Sequence, residues 1–198
     1  MEDMREGFVP CRELGAAQNA IQADWYAVRV RSNSEEIAAN GLTARGHTVF
    51  LPTYKDRRRW SDRIKEIQVP LFSGYVFCQL QPFNTLPVLM TPGVIDIVSF
   101  GRELAVVNER ELEAVRAILL ASLGAKPWPY LESGRKVLIR EGPLRGVEGI
   151  VLETQDGLTL VVSVSLLCRS VSVKLDRSWV EPLSGFVAGA SPVLNLAK

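Results

Sequence analysis

The sequence is poor in cysteine and almost free of histidine. Its 198 residues include three widely separated cysteines, Cys11, Cys78 and Cys168, no CxxC pair, and a single histidine, His47. Zinc sites and disulfide frameworks need clustered ligands or paired thiols, so this spacing excludes both. No nucleophile and acid stand at a recognisable triad spacing from His47. We therefore predict a protein that is not an enzyme and that uses neither a cofactor nor a metal.

Long apolar runs are also missing. The most apolar stretch, residues 158–168, is interrupted by Ser163 and Ser165, whereas a bilayer span needs about 18 or more apolar residues. Residues 1–23 mix acidic and basic side chains and lack the apolar run of a signal peptide. The sequence thus predicts a cytoplasmic protein with no membrane partner and a poorly ordered leader.

The chain carries little net charge. Its 23 basic and 22 acidic side chains give a formal charge of +1, and its 47 % hydrophobic content is that of a globular protein. A nearly neutral molecule has no overall field that attracts nucleic acid. Any nucleic-acid contact must therefore come from a local basic patch.

Strands and helices alternate in the first half of the chain. Residues 25–31, WYAVRVR, alternate in the pattern of a half-buried strand. Ser32 and Glu35 fit a capping box at the start of a helix that ends near Gly46. A second helix is predicted from Asn108, where leucine and valine recur at helical spacing. The first half is therefore predicted to be α+β.

The second half has a different pattern. Residues 135–181 alternate between β-branched runs and glycine or charged turns, which predicts five short strands in a small all-β barrel. Glycines and prolines at residues 124–130 indicate a linker. The predicted layout is a leader at 1–23, an α+β domain at 24–123, a linker at 124–132, a barrel at 133–184 and a tail at 185–198.

A basic run occupies residues 55–65, KDRRRWSDRIK, and is predicted to form a charged hairpin or loop. Arginine next to an aromatic side chain suits phosphate contact and base stacking. The alternative is a hairpin whose charges only face solvent. The candidate nucleic-acid-binding residues are Lys55, Arg57, Arg58, Arg59, Trp60 and Arg63.

Aromatic and aliphatic side chains are concentrated around a glycine turn in PLFSGYVF, residues 70–77. Strand alternation sends Tyr75 and Phe77 to one face and leaves Leu71 and Phe72 at the mouth of the strand. Core packing is the default interpretation of these side chains. The alternative is that Leu71 and Phe72 form an exposed apolar patch for a partner protein.

Five motifs in order together resemble the NusG family of transcription elongation factors. They are WYAVRVRSNSE, FLPTYKDRRRW, PLFSGYVF, TPGVIDIVSF and SGRKVLIREGPLRGVEGIVLE, and the similarity extends from Trp25 to about Leu183. The resemblance implies an α+β fold in which a NusG N-terminal (NGN) domain, an antiparallel sheet flanked by helices, is followed by an all-β KOW (SH3-like) barrel.

The resemblance also implies a function. Family members bind the clamp helices of the largest RNA polymerase subunit through an apolar depression and suppress pausing and termination. Ser32 and Glu35 match the segment that faces the opposite wall of the polymerase cleft, and the basic run would lie toward upstream or non-template DNA. The positions that match the apolar depression are Trp25, Tyr26, Leu71, Phe72 and Tyr75.

One loop departs from the family pattern. General NusG proteins carry Ile-Phe-Gly-Arg in the KOW loop that contacts Rho or a small-subunit ribosomal protein, and the matching residues here are Leu166, Leu167, Cys168 and Arg169. Loss of the Phe and the Gly predicts weak binding to Rho. The chain thereby resembles the specialised NusG paralogues (RfaH, UpxY and LoaP types), which antiterminate particular operons.

The main alternative function is that of an RNA-binding or ribosome-associated KOW protein. Against it, residues 132–184 hold seven basic and seven acidic side chains, whereas phosphate-driven binding needs positive surface. Glycine and proline in the first half of this segment disfavour a helical state. We therefore expect a barrel that folds independently and is free of the first domain.

Overall fold

The computed structural model describes residues 23–59, 64–131, 134–154 and 157–182. The predicted leader and tail lie outside the described residues, apart from Ala23. None of the helices among the described residues is long and apolar enough to cross a membrane. The first half contains, in order, β1 (Asp24–Val30), α1 (Glu35–Ala44), β2 (Val49–Phe50), β3 (Thr53–Arg59), β4 (Ile64–Pro70), β5 (Tyr75–Leu80), α2 (Leu86–Leu89), β6 (Val94–Ile97), β7 (Ser99–Phe100), β8 (Glu103–Leu104) and α3 (Glu109–Leu120).

An antiparallel sheet in the order β2-β5-β1-β6 forms the centre of the first half. Alternation along β1 sends Tyr26 and Val28 to one face, where they pack with α1 and α2. Trp25 and Ala27 lie on the opposite face, in a cluster that includes Leu112 and other apolar residues of α3. The sheet thus has helices on both faces, and the predicted α+β fold is confirmed.

The two helix starts differ from each other. Asn108 caps α3 as predicted, because its side-chain oxygen accepts a hydrogen bond from the Arg110 amide at 3.0 Å. The predicted capping box at Ser32 is wrong: Ser34 occupies the N-cap position of α1 without a side-chain cap. The Glu35 carboxylate is buried and accepts from the Gly74 amide at 2.8 Å instead. The Glu35 carboxylate therefore makes a tertiary hydrogen bond instead of the local one that a capping box requires.

The second half is a six-stranded antiparallel sheet in the order β14-β10-β11-β12-β13-β9, which we call the barrel. Its apolar interior includes Ile139, Leu160 and Val171, all fully buried. The five strands predicted from residues 135–181 are present, and a sixth comes from residues assigned to the linker. The domain limits themselves stay a prediction. The strands are β9 (Lys126–Trp128), β10 (Arg135–Ile139), β11 (Glu148–Thr154), β12 (Gly157–Val164), β13 (Arg169–Leu175) and β14 (Val180–Pro182).

Two glycines of the turn after β10 provide a matched test of the packing of the barrel. Gly142 and Gly146 both have positive φ, +77° and +87°, but a Cβ on Gly142 would lie 2.7 Å from the Trp179 ring, whereas one on Gly146 meets nothing within 4 Å. We expect Gly146→Ala to cost about 1 kcal/mol from backbone strain and Gly142→Ala about 3 kcal/mol, because Trp179 must also move. Urea unfolding of the full chain measures both, and equal losses would contradict the described packing of Trp179.

Candidate functional site

The glycine turn between β4 and β5 is folded onto the sheet. The Leu71 amide donates to the carbonyl of Pro52 at 2.9 Å, and the Tyr75 amide donates to that of Phe72 at 3.0 Å. The Phe72 ring meets Phe77 edge-on, with centroids 5.5 Å apart. Leu71 and Phe72 are 4 % and 1 % exposed. The core-packing interpretation therefore describes this structure, and Leu71 and Phe72 do not form an exposed patch in it, because the turn places both side chains in the core.

The five residues matched to the apolar depression do not lie on one face. Trp25, Leu71 and Phe72 belong to one buried cluster, and the half-buried Tyr75 packs against it. Tyr26 points through the sheet into the other cluster, where burial and the nearby Asp24 raise the pKa of its phenol. A single binding surface can therefore include Trp25, Leu71, Phe72 and Tyr75 but not Tyr26, which lies on the other face of the sheet.

The two candidates near α1 also differ. Ser32 is exposed in the loop before the helix. Glu35 is buried, and its bond to the Gly74 amide joins the start of α1 to the turn that carries Phe72. Glu35 therefore holds the turn in place in this structure, whereas Ser32 remains accessible to a partner.

The barrel packs directly against the first domain. The Glu111 carboxylate on α3 accepts from the Ser165 amide at 3.0 Å and from the Ser165 hydroxyl at 2.7 Å. Arg169 donates from Nη1 to the Ser73 carbonyl at 2.9 Å, and its guanidinium lies 5.3 Å from the centroid of the Tyr75 ring. We call these contacts the latch. The expectation of a barrel free of the first domain is wrong here, because its loop finds both polar and apolar partners there.

Apolar packing joins the two halves beneath the latch. One cluster of buried side chains includes Trp25 and Phe72 of the first half together with Val137 and Val164 of the barrel. Burial of such a shared apolar surface stabilises the closed arrangement. The aromatic turn and the barrel loop are therefore engaged with each other in this structure.

The barrel loop itself has an unusual backbone. Ser165–Leu167 form a single 3-10 turn, and Cys168 follows with φ 48° and ψ 46°, in the left-handed region. Glycine adopts this conformation without strain, whereas the Cβ of a cysteine makes it sterically unfavourable. Leu166 and Leu167 pack partly against the shared cluster, while Cys168 is exposed.

The described residues of the basic run, 55–59 and 64–65, lie on the antiparallel pair β3–β4, in which Thr53 pairs with Pro70 and Arg59 with Ile64. The Arg57 guanidinium lies 3.0 Å from the Glu66 carboxylate, and both side chains are largely exposed. An exposed pair of this kind contributes at most about 1 kcal/mol, so Arg57 can exchange it for a phosphate. Lys55 is also exposed; Arg58 and Arg59 are described only through their backbone, and Trp60 and Arg63 lie outside the described residues.

Sequence reasoning missed the first-domain partners of the latch. Its position in the first turn of α3 predicts only that the Glu111 carboxylate stabilises the helix dipole. Nothing local to Glu111 or Ser165 signals a contact across 54 residues. The signal that the sequence does give for this loop is Cys168, which stands where the resembled family motif has glycine.

Two findings define the class of this protein. The fold combines an NGN-type α+β domain with a KOW-type barrel, and residues 23–116 match the family described as NusG, transcription termination factor nusG. Residues 23–116 are therefore a NusG-family domain. No curated protein sequence matches the chain significantly.

Solved structures show more distant likenesses. A structure titled "Domain interaction in Thermotoga maritima NusG" is 24 % identical, with 83 % of this chain and 99 % of that chain covered and a TM-score of 0.47. A structure titled "Crystal Structure of MjSpt4:Spt5 complex conformation B" is 16 % identical over 83 % and 99 % of the two chains, with a TM-score of 0.29. Neither likeness is close enough to support an inference about this chain.

Proposed function

We propose that the chain is a cytoplasmic transcription elongation and antitermination factor without enzymatic activity. It binds the clamp helices of the largest RNA polymerase subunit and suppresses pausing and termination on particular operons. The aromatic turn carries this proposal: Leu71 and Phe72 are buried in a cluster that also contains barrel residues, and Arg169 of the barrel loop binds the neighbouring Ser73 carbonyl. Apolar anchors of this type dominate the binding energy of protein interfaces.

Polymerase binding through this turn requires the barrel to move away. The latch hydrogen bonds lie at the exposed edge of the interface, where water replaces them readily. Polymerase then binds the open form, in which the barrel has separated from the first domain, and increases the population of that form. The same movement frees the loop at Leu166–Arg169 for a ribosomal protein, while its altered sequence keeps binding to Rho weak.

The test of the proposed function is co-purification. We expect the tagged full chain to retain RNA polymerase at low micromolar concentration or below, and to extend transcripts past pause sites in a purified elongation assay. Sedimentation with ribosomes in the absence of polymerase binding would instead favour the RNA-binding or ribosome-associated alternative. The balanced charge of residues 132–184 argues against that alternative.

The basic hairpin provides a separate prediction. Replacing Arg57, Arg58 and Arg59 together by serine should weaken nucleic-acid contact and lower the salt slope of binding by up to about three, one for each lost phosphate contact. The control replaces Arg102, Arg110 and Arg135 by serine, which removes the same charge elsewhere. If both triple variants have the wild-type slope in DNA-binding assays, the hairpin is only a solvated surface.

A further inference from the structure

Arg116 on α3 is a cation that has no anionic partner among the residues that the structure describes. Its guanidinium carbon lies 4.6 Å from the centroid of the Trp25 ring and 4.7 Å from that of Phe50. Within the described part of the chain, Arg116 makes no ion pair and no hydrogen bond through its side chain. A guanidinium stacked on aromatic rings keeps its five in-plane N–H donors available, in a geometry that matches a carboxylate.

The indole of Trp25 has an unused donor in the same place. Trp25 is 3 % exposed, and its Nε1 is the single buried side-chain nitrogen or oxygen among the described residues that has no hydrogen-bond partner. Buried donors without acceptors are rare in folded proteins, and each needs an explanation. The Trp25 indole therefore has the Arg116 guanidinium over its ring and an unpaired N–H of its own, and it belongs to the cluster that also contains Phe72.

We propose that Arg116 and Trp25 form an acceptor site for a carboxylate side chain of RNA polymerase. The site rests on the proposed function, since it becomes accessible when the barrel leaves the shared cluster. The carboxylate accepts from the Arg116 fork and from the Trp25 indole N–H. It adds a charged, geometrically specific contact to the apolar anchoring by Leu71 and Phe72.

The surroundings favour a protein carboxylate over a nucleic-acid phosphate. Phosphate backbones are bound by several cations that act together, and the dense basic run of this chain lies on the β3–β4 hairpin. Arg116 instead stands over the rings of Trp25 and Phe50, and Trp25 belongs to the same buried cluster as Phe72. One arginine at the edge of an apolar surface is typical of an interface with a folded protein.

The experiment measures the affinity of the full chain for RNA polymerase at several salt concentrations. Arg116→Met keeps the alkyl stem over the rings and removes the charge, and we expect about tenfold weaker binding with a shallower salt dependence. Trp25→Phe removes the N–H and should weaken binding about threefold. Arg110→Met is the matched control, because Arg110 is an exposed arginine of the same helix, and it should bind like the wild type.

The outcomes separate this site from the proposed function. Circular dichroism first confirms that Arg116→Met is folded. If this variant then binds polymerase with the affinity and salt slope of the wild type, the carboxylate site is refuted and the proposed function is unaffected. If Arg116→Met does not fold, Arg116→Gln takes its place with the same expectation. Weaker DNA or RNA binding with unchanged polymerase affinity would show a phosphate site and also refute the proposal. Failure of the wild-type chain to bind polymerase would refute the proposed function itself.

Discussion

Replacing Glu111 and Arg169 together by alanine should tighten the binding of the full chain to RNA polymerase by about 30-fold. The pair supplies three hydrogen bonds and a cation–π contact between the barrel and the first domain. At the exposed edge of an interface these contacts together contribute about 2 kcal/mol. The closed form then becomes less populated by the same factor, and the apparent affinity rises while the closed form dominates.

The control for this prediction lies on the same helix. Replacing Arg110 and Glu113 by alanine removes one positive and one negative charge from exposed positions of α3 and should leave the affinity unchanged. Titration of the labelled chain with polymerase measures the dissociation constants of the wild type, the latch variant and this control. Equal affinity of the latch variant and the wild type would show that the closed arrangement does not compete with polymerase.

Phe72→Leu should lower the affinity for polymerase more than fivefold, the loss expected for an interface anchor. Alanine is a poor probe at this position, because removal of a fully buried phenylalanine costs about 3 to 5 kcal/mol of stability and unfolds part of the population. Leucine limits the loss to roughly 1 kcal/mol. The change in affinity then reports on the interface rather than on folding.

Phe77→Leu is the matched control for Phe72→Leu. Both rings lie in one edge-on pair and both are buried, but Phe77 is inside strand β5, whereas Phe72 is on the turn. Urea unfolding should give similar stability losses for the two variants, and only the Phe72 variant should lose polymerase binding. If both variants lose affinity for polymerase to a similar extent, Phe72 affects binding only through the stability of the core and is not an interface anchor.

Local patterns predicted the fold well, since each depends on neighbouring residues. Alternation in residues 25–31 correctly indicated strand β1, and Asn108 correctly marked the start of α3. Alternation along β5 likewise correctly placed Tyr75 and Phe77 on one face of the sheet. These features are set by strand and helix periods, which a single sequence displays directly.

The candidate site was predicted only in part, because burial and domain contact are not local properties. The pattern around Phe72 fits an exposed anchor as well as a core residue, and only the three-dimensional packing, in which Phe72 joins a cluster of residues from both halves, decides between them. Glu35 fits a capping box equally well, but the Gly74 amide, 39 residues away in sequence, binds its carboxylate. Contacts over such separations leave no period or spacing in the sequence.

A reversible lock on the latch tests the central claim most directly. With Cys11 and Cys168 replaced by serine, cysteines at positions 111 and 165 can be joined by a cleavable bis-maleimide; Cys78 stays unmodified, because burial raises its pKa to about 12. The account predicts that the locked chain does not bind RNA polymerase and that cleavage of the linker restores binding. Equal binding by the locked and the cleaved chain would contradict it.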